Sequence, residues 1–199
     1  MKDKNDISIT DFINEFMRLK DIKIGRYDDF VKLLIKWYFE IAIKNDKIHS
    51  SKNNQLLADI EIVNRPRGKV YWTDFGINIG SEFNDYHWCV IIKEFKYTAL
   101  VVPFSSKKED DAEWKSPDNL IVGIGTISDL PFDNTRESYA MINQMRCMSK
   151  QRLSPYWKNG KTYDNIKLSN GQLDVIDNTI LRMINCGDYI ADTFGNDYY

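Results

Sequence analysis

Apolar positions recur in helical steps at the start of the chain. In Ser8–Leu19 (SITDFINEFMRL), Ile9, Phe12, Ile13, Phe16 and Met17 repeat at three- and four-residue spacing. That is the stripe of an amphipathic helix, and Ser8 or Thr10 is placed to cap it. Gly25-Arg26-Tyr27 breaks the pattern. Tyr27–Ile43 predicts a second helix. Within Phe30–Ile43 only Lys32, Lys36 and Glu40 are polar, spaced four apart, so this helix is expected to keep one narrow solvated stripe and to be buried nearly all round. KNDKIHSSKNN (44–54) reads as a surface loop, and Gln55–Val63 as a short element of either type.

The period changes after residue 64. Pro66 and Gly68 open a series of short β-branched and aromatic runs: Val70–Phe75, Trp88–Ile92, Ala99–Phe104, Leu120–Gly125 and Tyr139–Met148. Runs of this length with turn-rich sequence between them predict a small all-β barrel. Nothing between them has the length of a βαβ crossover helix. Residues 154–199 return to helix. Leu173, Ile176, Ile180, Leu181 and Ile184 share one face, with Asn170-Gly171 ahead of them and Gly187 as a stop. Asp188, Asp192 and Asp197 mark a solvated tail. The expected organisation is a helical extension over 1–64 and a barrel with a C-terminal helix over 65–199, an α+β chain.

Composition narrows the classes. The 199 residues are 43% hydrophobic and 28% charged, those of a folded protein. Lys and Arg number 27 against 29 Asp and Glu, a net charge of −2. Any nucleic-acid site is therefore a local patch, not a polycationic surface. One such excess lies in residues 140–167, where Arg146, Lys150, Arg152, Lys158, Lys161 and Lys167 face only Asp164. Tyr139, Tyr156, Trp157 and Tyr163 interleave with them. Basic residues track phosphates and aromatic faces stack bases; a solvated loop whose aromatics pack on the barrel would have the same composition.

No uncharged apolar run reaches the ~18–20 residues of a membrane helix, and the polar start MKDKNDISITDF is unlike a signal peptide. Three cysteines without a CxxC pair read as reduced thiols of a cytoplasmic protein. The only histidines, His49 and His87, have no cysteine pair beside them, so no metal site is expected. No phosphate-binding glycine motif points to a cofactor. KKEDDAE (107–113) reads as a solvated loop, with Trp114 beyond it as a base-stacking or partner contact.

RGKVYWTDFGINIGSE (Arg67–Glu82) resembles the opening strand and Gly-Ser-Glu loop of the MazF/PemK (CcdB-like) toxin endoribonucleases. Further blocks follow in that family's order. CVII (Cys89–Ile92) matches the second strand, and LVVPFSSK (Leu100–Lys107) the strand ending in Pro-x-Thr/Ser-Ser. MINQMRCMSKQRL (Met141–Leu153) matches the Gln-x-Arg-x-x-x-Lys-x-Arg-Leu block, and Leu168–Leu173 the lead into the last helix. The resemblance covers about residues 65–186.

The resemblance implies a small SH3-like β-barrel with a C-terminal helix, paired as a homodimer, here behind an N-terminal helical extension. It implies metal-independent cleavage of single-stranded RNA at short sequences, by 2′-hydroxyl attack that leaves a 2′,3′-cyclic phosphate. It implies an antitoxin partner, protein or RNA, and a role in growth arrest or phage defence. Carried across, the family's catalytic arginine falls on His87, before Trp88. Histidine suits proton transfer, with an ordinary pKa of about 6.5, but lacks the fixed cationic fork of arginine; Lys107 or Arg146 could supply the charge. The family's hydroxyl position falls on Ser105. Ser81, Glu82, Ser106, Lys107, Gln144 and Arg146 fall on RNA-binding positions, whereas Arg152 reads as structural. The residues alone leave other readings open: His87 as a strand residue packed beside Trp88, Ser105 as a strand-end turn, and Ser81-Glu82 as a self-bonded loop. The departure at His87 also leaves an inactive RNA- or protein-binding barrel as the alternative. A gyrase-poisoning toxin on the same barrel ranks below it, because the chain ends Asn196-Asp197-Tyr198-Tyr199.

Overall fold

In the computed structural model the described residues are 8–18, 27–51, 64–78, 81–108, 115–131 and 136–185. The chain divides into two compact units, Met1–Asp46 and Lys47–Tyr199. The first helix, α1 (Ile9–Arg18), starts where Ser8 caps it. The Ser8 hydroxyl oxygen accepts the Asp11 N–H at 3.1 Å, and the Asp11 carboxylate accepts the Ser8 N–H at 3.1 Å. Each side chain thereby satisfies a donor that the helix leaves unpaired.

The second helix, α2 (Tyr27–Ser51), is longer than the sequence pattern predicts. Residues 44–51, expected as loop, continue it. They hold no glycine or proline, and adding polar residues to a helix already formed is inexpensive. Nor is α2 buried nearly all round: Leu33, Ile35, Tyr38, Phe39 and Ile43 are exposed. The expected element at Gln55–Val63 and the tail after Asn185 lie outside the described residues.

The strands are β1 (Val70–Asp74), β2 (Tyr86–Glu94), β3 (Thr98–Ser106), β4 (Ile121–Thr126), β5 (Glu137–Met141), β6 (Arg146–Ser149), β7 (Leu153–Ser154), β8 (Tyr156–Lys158) and β9 (Lys161–Tyr163). Seven form one curled antiparallel half-barrel in the order β4-β5-β3-β2-β1-β7, with β6 also on β3. The single run expected over Tyr139–Met148 is two strands joined by a short 3₁₀ turn at Ile142–Gln144. Strand β3 explains the break. It pairs with β6 through Thr98–Val101 and with β5 through Phe104–Ser106. Pro103, with no N–H to donate, stands where the partner changes. Strands β8 and β9 form a separate hairpin around Asn159-Gly160, both with positive φ (50° and 76°). This is the Asn-Gly geometry that closes a two-residue hairpin.

Alternation along β1, β2 and β3 makes two cores. One face carries Val70, Val90, Val102 and Phe104 and packs with β4, β5 and the last helix, α3 (Asn170–Ile184), through Ile176. The other carries Tyr71, Cys89, Ile91 and Val101 and packs with Met148 and Leu153. Ser169 and Gln172 form a capping box at the start of α3, so Asn170 and Gly171 lie inside the first turn. The Gln172 amide nitrogen also donates to the Ile124 and Thr126 carbonyls, at 2.8 and 2.9 Å. Arg67 donates to the Ile92 carbonyl at 2.9 Å and pairs with Asp177 on the helix. Gly68 has φ +82°, and a Cβ there would meet Leu173 Cδ1 at 3.1 Å. The Arg-Gly opening thus brings strand and helix together where a side chain would intrude.

Candidate functional site

The site begins where β2 and β3 separate. Their pairing ends at Cys89 opposite Pro103. Beyond it β2 continues back to Tyr86, while β3 runs on to Ser106 against β5. The divergence opens a cleft of about 650 Å³. His87 from β2 and Ser105 and Ser106 from β3 line it, with Lys108, Arg136 and Ser138. Trp72, Tyr86 and Trp88 form an aromatic wall, and Phe104, Ile127 and Leu130 supply apolar surface.

His87 sits between water and the second core. Its ring meets the Phe83 ring edge-on at 4.3 Å between centroids, and Phe75 at 6.2 Å. Burial pushes its pKa below the ordinary histidine value; a hydrogen bond to the Asn84 backbone and the charge of Asp85 oppose this without cancelling it. The shift favours the neutral imidazole, one nitrogen of which can accept a proton.

The loop between β1 and β2 is built to hold this position. Phe75 N–H donates to the Asp85 carbonyl and Asp85 N–H to the Gly76 carbonyl, both at 2.8 Å. The Asn78 side chain donates to the Phe75 and Phe83 carbonyls, at 2.9 and 2.6 Å. Gln144 reaches across from the 3₁₀ turn, donating to the Ser81 carbonyl and accepting from Phe83 N–H, each at 3.3 Å. Arg146 donates to the Gln144 oxygen at 3.3 Å and lays its guanidinium over Phe75 at 5.4 Å.

The expected site residues thus divide. His87, Ser105 and Ser106 share the cleft. Gln144 bonds the Phe83 backbone and Arg146 lies over the Phe75 ring, and the rings of both phenylalanines neighbour His87. Ser81 and Glu82 are exposed on the pinned loop; Gly80 lies outside the described residues. Lys107 does not line the cleft: its ammonium pairs with Glu137 at 2.6 Å.

The basic stretch 140–167 does not form one surface. Lys150 is buried, and its ammonium is bonded to the Glu94 carboxylate at 2.6 Å. Arg152 donates to the Asp74 carbonyl at 3.4 Å. Tyr156 packs against Trp72 and Trp88 at 5.4 and 5.2 Å, whereas Trp157 on the hairpin is exposed. Cleft residues that sequence reasoning missed are Lys108, Arg136, Trp72 and Tyr86. Arg136 carries no local signal; the pairing of Ser106 with Ser138 brings it beside β3. The aromatic wall was latent in the alternation of Trp72 on β1 with Tyr86 and Trp88 on β2, and Trp72 stacks on Tyr86 with planes 17° apart.

Among the described residues no cluster of three or more His, Cys, Asp or Glu could hold a metal ion. No described helix is long and apolar enough to cross a membrane. Residues 66–184 match the family model of PemK-like, MazF-like toxins of type II toxin–antitoxin systems. No curated protein matches the chain.

Proposed function

Because the chain belongs to the PemK-like, MazF-like toxins of type II toxin–antitoxin systems, we propose that it is an endoribonuclease that cleaves single-stranded RNA, with His87 as its proton acceptor. The observation that carries this reading is the cleft itself. His87, Ser105 and Ser106 line one cleft beside an aromatic wall.

The nucleophile in this reaction belongs to the substrate. His87 takes the proton of a ribose 2′-hydroxyl as its oxygen attacks the adjacent phosphorus. The 2′-oxygen–phosphorus bond forms, the phosphorus–5′-oxygen bond breaks, and the departing 5′-oxygen takes a proton from water in the open cleft. The products are a 2′,3′-cyclic phosphate and a 5′-hydroxyl. Asp85 and the Asn84 backbone favour the imidazolium as it forms. Ser105 and Ser106 donate to phosphoryl oxygens, where negative charge grows. Trp72, Tyr86 and Trp88 stack neighbouring bases, a contact worth about 1–3 kcal/mol per base. Ser81, Glu82, Gln144 and Arg146 form the adjoining rim, where the Glu82 carboxylate accepts from a base amino group.

The protein acts in the cytoplasm as a homodimer restrained by an antitoxin, and its release causes growth arrest or serves phage defence. Residues 1–64 form an extension to the 65–199 barrel. The test is incubation with a long single-stranded RNA, then with an oligonucleotide carrying one 2′-deoxy sugar at a mapped cut. Discrete cuts with cyclic-phosphate ends that vanish at the deoxy position are expected. Binding without cleavage by a folded sample would instead indicate an inactive RNA-binding barrel.

A further inference from the structure

The cleft has a proton acceptor at position 87, where the family resemblance puts a fixed cation. A phosphate passing into its transition state gains negative charge, and a neutral imidazole does not offset that charge before it takes a proton. Histidine also lacks the guanidinium fork that grips two phosphoryl oxygens. The missing charge must come from elsewhere in the cleft.

The geometry points to Arg136 and Lys108: we propose that they form the phosphate clamp of this cleft, so that holding charge and moving the proton fall to different residues. This rests on the ribonuclease reading above. Both residues line the cleft with His87. They come from adjoining strand ends, Lys108 just past β3 and Arg136 just ahead of β5. Those ends are fixed to each other, since Ser106 pairs with Ser138 and Lys107 N–H donates to the Glu137 carbonyl at 2.8 Å. Lys107 and Glu137, between them, neutralise one another in an ion pair. Lys108 and Arg136 flank that pair on the two strand ends. Ser105, Ser106 and Ser138 line the same cleft and add hydroxyl-bearing residues beside the two cations, a set suited to an anion. The cleft volume of about 650 Å³ suits a ligand of nucleotide size.

The test uses the full chain and separates binding from cleavage. Affinity for an uncleavable 2′-deoxy oligonucleotide is measured against salt for wild type, Arg136→Gln, Lys108→Gln, Arg136→Lys and the double variant. Lys93→Gln, on an exposed position at the far end of β2, controls for loss of one charge. Each phosphate neutralised on a single strand contributes about 0.7 to the slope of log affinity against log salt. The clamp predicts a slope smaller by about 0.7 for each single variant and about 1.4 for the double, with Lys93→Gln unchanged. Arg136→Lys restores the slope, while its rate of RNA cleavage stays at least about tenfold below wild type because the fork is lost. Arg136 and Lys108 variants that behave like Lys93→Gln would overturn the clamp even if wild type cleaves. A wild type that binds with the expected slopes but never cleaves keeps the clamp and removes the ribonuclease reading. A folded wild type that does neither overturns both.

Discussion

Lys150 separates a charge that serves the fold from one that serves a ligand. Its ammonium lies 2.6 Å from a Glu94 carboxylate oxygen, with side-chain exposures of 5% and 24%. The same oxygen accepts the Arg65 N–H at 2.8 Å. Lys150→Met keeps most of the apolar stem and removes the charge. Breaking a fully buried pair from one side costs about 3–5 kcal/mol. Glu94 keeps the Arg65 amide and part of its surface in water, which lowers the expected loss to about 2–3 kcal/mol. With a urea slope of about 2 kcal/mol/M, the unfolding midpoint falls by about 1–1.5 M with the slope unchanged. The sign with pH follows from Glu94. Burial alone would raise its pKa, but the hydrogen bonds and charges of Lys150 and Arg65 outweigh burial and hold it below the ordinary value. The stabilisation is therefore complete above the unfolded carboxyl value of about 4.5 and is lost as pH falls through the lower folded value. The gap between wild type and variant should close in acid. Being buried, Lys150 cannot reach a phosphate, so the salt slope of RNA binding stays the same. A midpoint shift below about 0.3 M at pH 7, or a salt slope reduced by about 0.7, would refute this reasoning.

Gly68→Ala should destabilise the barrel by at least about 1–2 kcal/mol, the cost of a left-handed backbone for a residue with a Cβ, with added crowding against Leu173; a thermal melt within about 1 °C of wild type would contradict it. Cleavage should fall on the acid side with a midpoint below the ordinary histidine value of about 6.5, because His87 must be neutral to accept a proton and burial lowers its pKa. A rate profile with its midpoint above that value would oppose the assignment. The Cys89 thiol is buried and pushed up to about 12, while Cys147 is exposed. In a Cys186→Ser background, a disulfide reagent should therefore modify one thiol quickly and the other only after unfolding.

Periodicity made the barrel and the terminal helices legible. The runs at Val70–Phe75, Trp88–Ile92 and Ala99–Phe104 became β1, β2 and β3 because one face of each had to meet a core. Polar sequence was a weaker guide. Residues 44–51 looked like a loop but continue α2, since lysine and aspartate do not end a helix as glycine or proline would. Residues 156–163, expected within a stretch that returns to helix, form a hairpin, and Asn159-Gly160 is its turn signal. At the site, His87 and Ser105 stand out in the sequence only through the resemblance; both line the cleft that opens where β2 and β3 part at Pro103. Arg136 was not legible, because it reaches the cleft only through a long-range strand pairing. Lys150 misled for the complementary reason: its partner Glu94 is 56 positions away.

The central claim is that His87 moves the proton in an RNA cleavage that needs no metal. The most direct measurement compares wild type with His87→Ala on one long single-stranded RNA in EDTA, with new ends mapped and circular dichroism showing both proteins folded. The account predicts discrete cuts with cyclic-phosphate ends for wild type, and a rate at least about 100-fold lower for the variant, the usual scale of a positioned acid–base group. Equal cleavage by a folded His87→Ala protein would contradict it.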